Sequence, residues 1–341
     1  MIQQLESTSG HTLTSSNVSK RPMHYFFVYM ACLFPVLVLL GFTPSYMMVY
    51  SGAAQLHWFA HVHGAIMSSW LIVFLVQSVL AAKGNLKFHR KLGLFAAGLG
   101  VLVWLCMVTA SIRGRAAYYF PPEDDVWDIL LIELYASSLF AVFFTWGMLA
   151  RKNAAAHKRL VLLATIIIMT AAVDRIRFLP GATQMSRFIY LDMLLIPLFI
   201  YDIVTLKRIH KITVLGALIF VILQISITLA WGSLAWHKFA FGFWKPFVTA
   251  PVEVVLTDVE LAPLLGEYGD SNWHVSIKRI DGKIYMQMPG IPKKELRESS
   301  PTELFVRAMA WKITFIKNQD GKVIKMINYQ PNLTWELPRY R

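Results

Sequence analysis

The sequence predicts an all-α bundle of seven transmembrane helices followed by a small antiparallel β domain. Three observations predict it. Of the 341 residues, 56% are hydrophobic and mean hydropathy is +0.50. Only 16% are charged, against about 25% in soluble domains. Seven apolar runs approach or reach the roughly 20 residues that a helix needs to cross a bilayer. From about residue 251 the composition changes: the last 91 residues hold 24 charged side chains and no long apolar run. The expected division is a polar tail over 1–22, a bundle over 23–237, a linker over 238–252 and a β domain over 253–341.

Residues 1–19 are polar, rich in Ser and Thr, and lack a signal-peptide pattern. The first apolar run is therefore expected to stay as a signal anchor. The seven spans are read at 23–43, 58–82, 92–112, 126–150, 159–178, 188–206 and 212–235. Pro35 and Pro197 fall inside spans, which membrane helices tolerate. Gly93, Ala97, Gly98 and Gly100 give the third span a small-residue stripe suited to close helix packing. Cys32 and Cys106 lie in apolar runs, and no CxxC motif exists.

The chain carries a net charge of +13. Lys20, Arg21, Lys83, Lys87, Arg90, Lys91, Arg151, Lys152, Lys158, Arg159, Lys207, Arg208 and Lys211 all fall at alternate span ends. The segment 45–56 at the other ends carries no charge, and 113–125 mixes Arg113 and Arg115 with Glu123, Asp124 and Asp125. The positive-inside rule then puts the N-terminus in the cytoplasm and the β domain outside. The excess is a topology signal, so the lipid bilayer is the expected partner and nucleic acid is excluded.

In the β domain, Trp273–Ile280 and Lys283–Met288 flank Asp281-Gly282. Trp311–Lys317 and Val323–Tyr329 flank Asp320-Gly321. Alternating runs around Asp-Gly signal hairpins, and Thr302–Arg307 reads as a further strand. Asn332-Leu333-Thr334 fits the glycosylation triplet, a pattern that chance also produces.

Histidines cluster at span ends. His89, His157 and His210 each precede a basic residue and an apolar helix, a pattern that recurs every two spans and suggests a weak helical-hairpin repeat. They are also ordinary boundary residues by type. At the other ends, His57, His61 and His63 open the second span. His-x-His and His-x-x-x-His within seven residues is a metal-ligand spacing. Glu133, Asp174 and Asp192 are acids in or beside spans, where charge is costly unless paired or functional. Asp174 can pair with Arg175 or Arg177, and Asp202 with Lys207 or a neighbouring loop.

Two placements of chemistry follow. His57, His61 and His63 with Glu133 or Asp192 would make a mixed nitrogen and oxygen site for a transition metal. Alternatively, histidines at matching depth could clamp haem b, with His89 and His157 as an inner pair and His63 and His237 as an outer one. Trp70, Phe74 and Gln77 continue the His63 face at helical spacing, a stripe that packing also explains.

On these residues the chain resembles a family of uncharacterised bacterial multi-span membrane proteins. The matching features are His61 or His63 with Gly64, then Gln77, His89-Arg90-Lys91-Leu92-Gly93, His157-Lys158-Arg159 and Arg175, over about 120 residues. It departs at Leu160-Val161, where that family has an aromatic-Met pair, and in its β domain. The resemblance implies a layout like that of b-type di-haem membrane cytochromes. Leu265-Gly266-Glu267-Tyr268, Glu303-Leu304-Phe305 and the two Asp-Gly hairpins resemble the lipocalin-like module appended to serine beta-lactamase-type hydrolases; no Ser-x-x-Lys nucleophile motif accompanies them.

The leading expectation is a haem- or metal-binding membrane protein of the bacterial inner membrane, engaged in electron transfer. The second is a non-enzymatic sensor or assembly protein whose β domain binds an extracytoplasmic protein or small molecule. The third is a proton- or cation-coupled transporter using Glu133, Asp174 and Asp192.

Overall fold

A computed structural model describes residues 25–52, 54–116, 122, 126–176, 178–181, 184–248, 252–271, 273–289, 291–306, 311–330 and 333–340. The tail 1–22, Arg177, the acids at 123–125 and the Asn332 triplet's first residue lie outside them.

Among the described residues, seven stretches are long and apolar enough to cross a membrane, and the chain is a membrane protein. They comprise α1 (Phe26–Tyr50), α2 (Trp58–Ala82), α3 (Leu86–Ala116), α4 (Val126–Leu149), and α5 (Ala154–Ile168) with the short α6 (Thr170–Val173). The sixth is α7 (Gln184–Met193) and α8 (Ile196–Leu206), and the seventh is α9 (Lys211–Ala230). Their outward side chains are bare hydrocarbon: Leu94 is 82% exposed and Leu229 78%. In water such a surface would aggregate; against lipid it is the favoured one.

α5 is the hub. Leu160, Leu162, Leu163, Ala164, Ile166 and Ile167 are all fully buried, as expected for a helix apolar all round. Trp70 donates its indole N–H to Thr165 Oγ1 (3.3 Å) and stacks edge-on against Phe140 and Phe144. The predicted stripe on α2 is therefore packing at Trp70 and Phe74, both buried in the bundle core.

Several sequence boundaries move: α1 runs on to Tyr50 where 43 is expected, and α5 starts at Ala154 rather than 159. α3 begins six residues before the predicted 92 because Asn85 accepts a hydrogen bond from Phe88 N–H at its start; Lys87, Arg90 and Lys91 ride on its polar end. The sixth span breaks at Leu194-Leu195, with Pro197 in the first turn of α8, where a proline's missing N–H costs nothing. The expected linker over 238–252 is helical in its first part: α10 spans Leu234–Trp244, with Ser233 as its N-cap.

The C-terminal domain is one antiparallel sheet of β2 (Gly266–Gly269), β3 (His274–Ile280), β4 (Lys283–Met288), β5 (Ile291–Ser300), β6 (Glu303–Val306), β7 (Trp311–Lys317), β8 (Val323–Tyr329) and β9 (Leu333–Pro338), paired in chain order. Both predicted Asp-Gly hairpins are present. Asp281 and Gly282 take φ of 48° and 77°, the left-handed pair that a two-residue hairpin requires. The sheet curls until Tyr268 bridges Arg339, so β2 meets the end of β9.

One strand was invisible in the composition. β1 (Ala54–Leu56), in the short loop between α1 and α2, pairs with Leu333–Trp335 of β9. Met48 and Val49 of α1 also pack on the barrel's apolar core. The barrel therefore stands on the bundle at the α1–α2 loop, here termed the barrel-side face; the opposite end is the far face.

Candidate functional site

Polar side chains interrupt the apolar bundle at each end. At the far face, α3 and α5 start alike. Asn85 and Asn153 cap them, accepting from Phe88 N–H and Ala156 N–H at 3.2 Å each. The fourth residue of each helix is a histidine, His89 and His157, so the two rings lie at one depth. His89 Nδ1 meets the Gln77 carbonyl at 3.3 Å, and His157 Nδ1 meets the Gly147 carbonyl at 2.8 Å. In each case the carbonyl belongs to the preceding helix of the hairpin. A carbonyl only accepts, so each ring donates from Nδ1 and keeps the lone pair on Nε2.

The two imidazoles are neighbours, with ring centroids 6.4 Å apart and planes at 88°, edge-on to one another. Gln77 holds His89 twice, since its side-chain Nε2 also donates to the His89 carbonyl (3.2 Å). Its Oε1 is buried without a partner among the described residues. Gly93, one turn after His89, borders Gln77, where a Cβ would meet Nε2 at 3.6 Å, an ordinary contact. Gln77 and His89 thus form one unit.

Beside this pair runs a structural network. Arg159, 1% exposed, forms a buried ion pair with Asp202, 0% exposed. Asp202 Oδ2 accepts from Thr213 Oγ1 and His210 N–H. The sequence expectation for Asp202 holds for the neighbouring loop, through His210 N–H, and is corrected for Lys207: the ion-pair partner is Arg159 on the central helix. Lys158 donates to Tyr201 Oη (2.7 Å), and Arg90 bonds the Leu86 carbonyl at the exposed end of α3.

At the barrel-side face the predicted metal set does not assemble. Among the described residues, no group of three or more His, Cys, Asp or Glu is placed to hold a metal. His57 is the N-cap of α2, accepting from Phe59 N–H, and Arg113 lies 3.3 Å from its ring. His61 points outward and is exposed. His63 Nδ1 lies 3.3 Å from Cys106 Sγ. Asp192 accepts from Gln224 (2.9 Å), which also donates to Tyr135 Oη (3.1 Å). The acid thus joins a side-chain network on other helices rather than the histidines.

The outer haem pair is corrected likewise. His237 spends both ring nitrogens elsewhere: Nδ1 on the Pro122 carbonyl (3.0 Å) and Nε2 on Asp128 Oδ1 (2.9 Å). With His63 against Cys106, the two rings are not partners. Asp128 also accepts from Gly232 N–H (2.9 Å), so the cluster pins α10 and the turn before it to the start of α4.

Asp174 is bound by Arg187, which donates to its carbonyl at 2.8 Å and approaches its carboxylate at 3.8 Å, not by Arg175. Arg175 donates to the Ala171 carbonyl and lies over the Phe42 ring. It is within electrostatic range of Asp174, Glu133 and His63. Its side chain is exposed to solvent.

Sequence reasoning missed Asp128, Tyr135, Gln224 and the Arg159–Asp202 pair, because each partner is distant along the chain. One signal was available. Asn85-Leu-Lys-Phe-His89-Arg-Lys-Leu92 and Asn153-Ala-Ala-Ala-His157-Lys-Arg-Leu160 share the pattern N-x-x-x-H-basic-basic-L. It ties the cap and the histidine of both hairpins into one repeat. No protein family, curated protein or solved structure matches this chain.

Proposed function

We propose that the chain is a haem-binding membrane protein of the bacterial inner membrane, in which His89 and His157 would hold the haem iron. The far face would be cytoplasmic, in keeping with its basic residues. One observation carries the reading: two imidazoles at equal depth, each turned by a backbone carbonyl so that Nε2 keeps its lone pair, with ring centroids 6.4 Å apart. A metal about 2.0–2.1 Å from each nitrogen would separate such centroids by about 6 Å.

The donor count favours haem over a bare ion. A bare zinc or copper site takes three or four protein ligands, and the described residues gather no such set. A porphyrin fills the equatorial positions itself and asks the protein only for axial ligands.

Bound haem supplies one-electron redox chemistry. This chain's residues orient the ligands: Gln77 and Gly147 fix the ring tautomers as outer partners do at metal sites. Arg90, within electrostatic range of His89, offers a cation to an anionic side group at the same membrane edge. One-electron transfer at the far face is the activity this arrangement fits best.

The test is the absorption spectrum of protein purified from haem-replete cells. A Soret band is expected in the wild type and in His63→Ala, and is lost in His89→Ala and His157→Ala. A folded wild type without the band, or an unchanged band in both variants, would reject the assignment.

A further inference from the structure

The polypeptide that leaves the seventh span does not run straight to the barrel. α9 is 20 residues long, about 30 Å at 1.5 Å per residue, which is the full thickness of a hydrocarbon core. Its end therefore falls at the bilayer surface. There Gly232 takes a φ of 69° and donates its N–H to Asp128, and Ser233 caps α10 by accepting from Trp236 N–H. The 11 residues of α10 cover about 16 Å, too little to cross a membrane again.

α10 carries three faces. The inner one packs on α4. Ala240 is buried against Val126, Trp127 and Leu130, Trp236 donates its indole N–H to the Trp127 carbonyl (2.8 Å), and the Phe241 ring lies 6.2 Å from that of Trp127. These contacts all fall at the start of α4, so α10 crosses that start instead of descending beside it. The second face is a ridge. Phe239, Phe243 and Phe247 follow one another at intervals of four and are 72%, 65% and 67% exposed. Lys238 and Lys245 are exposed on the third face, about 130° round the axis from the ridge. The lipid-facing surface of α9 reaches Leu229, five residues before α10 begins, so the ridge adjoins the surface of the span.

We propose that α10 is an in-plane anchor bound to the phospholipid leaflet at the barrel-side face. Its phenylalanine ridge sits at the boundary of head groups and acyl chains, and its lysines reach the phosphates and water above. A helix with aromatic rings on one side and lysine on another suits that layer. The neighbouring spans agree with it: α9 delivers α10 at the surface, and α4 enters the membrane beneath it. A soluble partner or a second copy could also cover phenyl rings, but neither accounts for their place at a span end. The anchor holds the chain leading to the barrel at the membrane and is independent of the histidine pair.

The experiment uses the full chain in phosphatidylcholine nanodiscs, with Cys32→Ala and Cys106→Ala as background and one spin-labelled cysteine at a time. Collisions with oxygen and with a water-soluble nickel chelate read the depth of each label. Ile222→Cys, on the exposed side of α9 at mid-span, marks the lipid core. Asp320→Cys, exposed at the β7–β8 hairpin, marks water. Labels at Phe239→Cys and Phe243→Cys should favour oxygen over nickel several-fold relative to Asp320→Cys, at a depth of about 5–10 Å and shallower than Ile222→Cys. Lys238→Cys should favour nickel. Nickel access at 239 and 243 equal to that of Asp320→Cys would show a solvated face and overturn the proposal. Exclusion of both reagents would show a protein covering the ridge and overturn it too. Should the variants fail to fold, the unaltered chain is photolabelled with a phosphatidylcholine that carries a diazirine near its ester carbonyl. Adducts on 239–247 are expected, and adducts confined to the seven spans would reject the anchor.

Discussion

The two ends of the helical bundle carry the same residue types and use them differently. At the far face, histidines sit at matching positions on two similar hairpins, and the nearby charges are locked into a buried network. At the barrel-side face, the histidines are a helix cap, an exposed residue, a neighbour of a thiol and a partner of Asp128. Close spacing along the chain gathered nothing there, whereas wide spacing with a shared local pattern brought His89 and His157 together. Position within a repeated element therefore predicted proximity better than sequence distance did.

The comparison can be broken most sharply at the ion pairs. Arg159→Ala leaves Asp202 buried and uncompensated, so a loss of about 3–5 kcal/mol is expected. It would read as a collapsed melting temperature or no folded yield in detergent. Arg187→Ala removes a partner of Asp174, whose side chain is 54% exposed, and should cost no more than about 1 kcal/mol. Equal effects would mean that the two ends do not differ in burial as described.

A smaller contrast tests the small-residue stripe on α3. A Cβ at Gly100 would run into the Phe144 ring of α4, while one at Gly98 meets nothing within 4 Å. Gly100→Ala should destabilise by about 1–3 kcal/mol through overpacking. Gly98→Ala should be neutral or stabilising by up to about 1 kcal/mol, since alanine favours helix. Thermal unfolding of the two variants decides whether the stripe is one packing surface or a single contact.

The smallest effect concerns His210, the cap of α9, whose Nδ1 accepts from Ile212 N–H (3.1 Å). Burial first, and then the Arg159 charge, holds its pKa below the ordinary 6.5. The folded state thus binds fewer protons than the unfolded one around that pH. The cap's contribution is complete above 6.5 and is lost as pH falls through the lowered value. Melting temperature should drop over that window, and His210→Asn, which still caps, should flatten the drop. An identical pH profile in the variant would remove the cap from the account.

The seven spans were legible because lipid imposes length and apolarity on every crossing helix, and the hairpin at Asp281-Gly282 because few residues take two successive positive φ values, while at Asp320-Gly321 the glycine alone takes one. The inner pair His89 and His157 was legible through local pattern. The rest depended on tertiary placement. β1 is three residues of ordinary loop sequence that become a strand only because β9 has a free edge beside it. Asp128 and His237 are 109 residues apart, and nothing local to either announces the other.

The most direct test of the account is low-temperature electron paramagnetic resonance of the oxidised wild-type protein. Two axial imidazoles with planes at 88° should give a highly anisotropic low-spin ferric signal, and both His89→Ala and His157→Ala should abolish it. A wild-type protein from haem-replete cells with no ferric haem signal, or the same signal surviving in His89→Ala, would contradict the account.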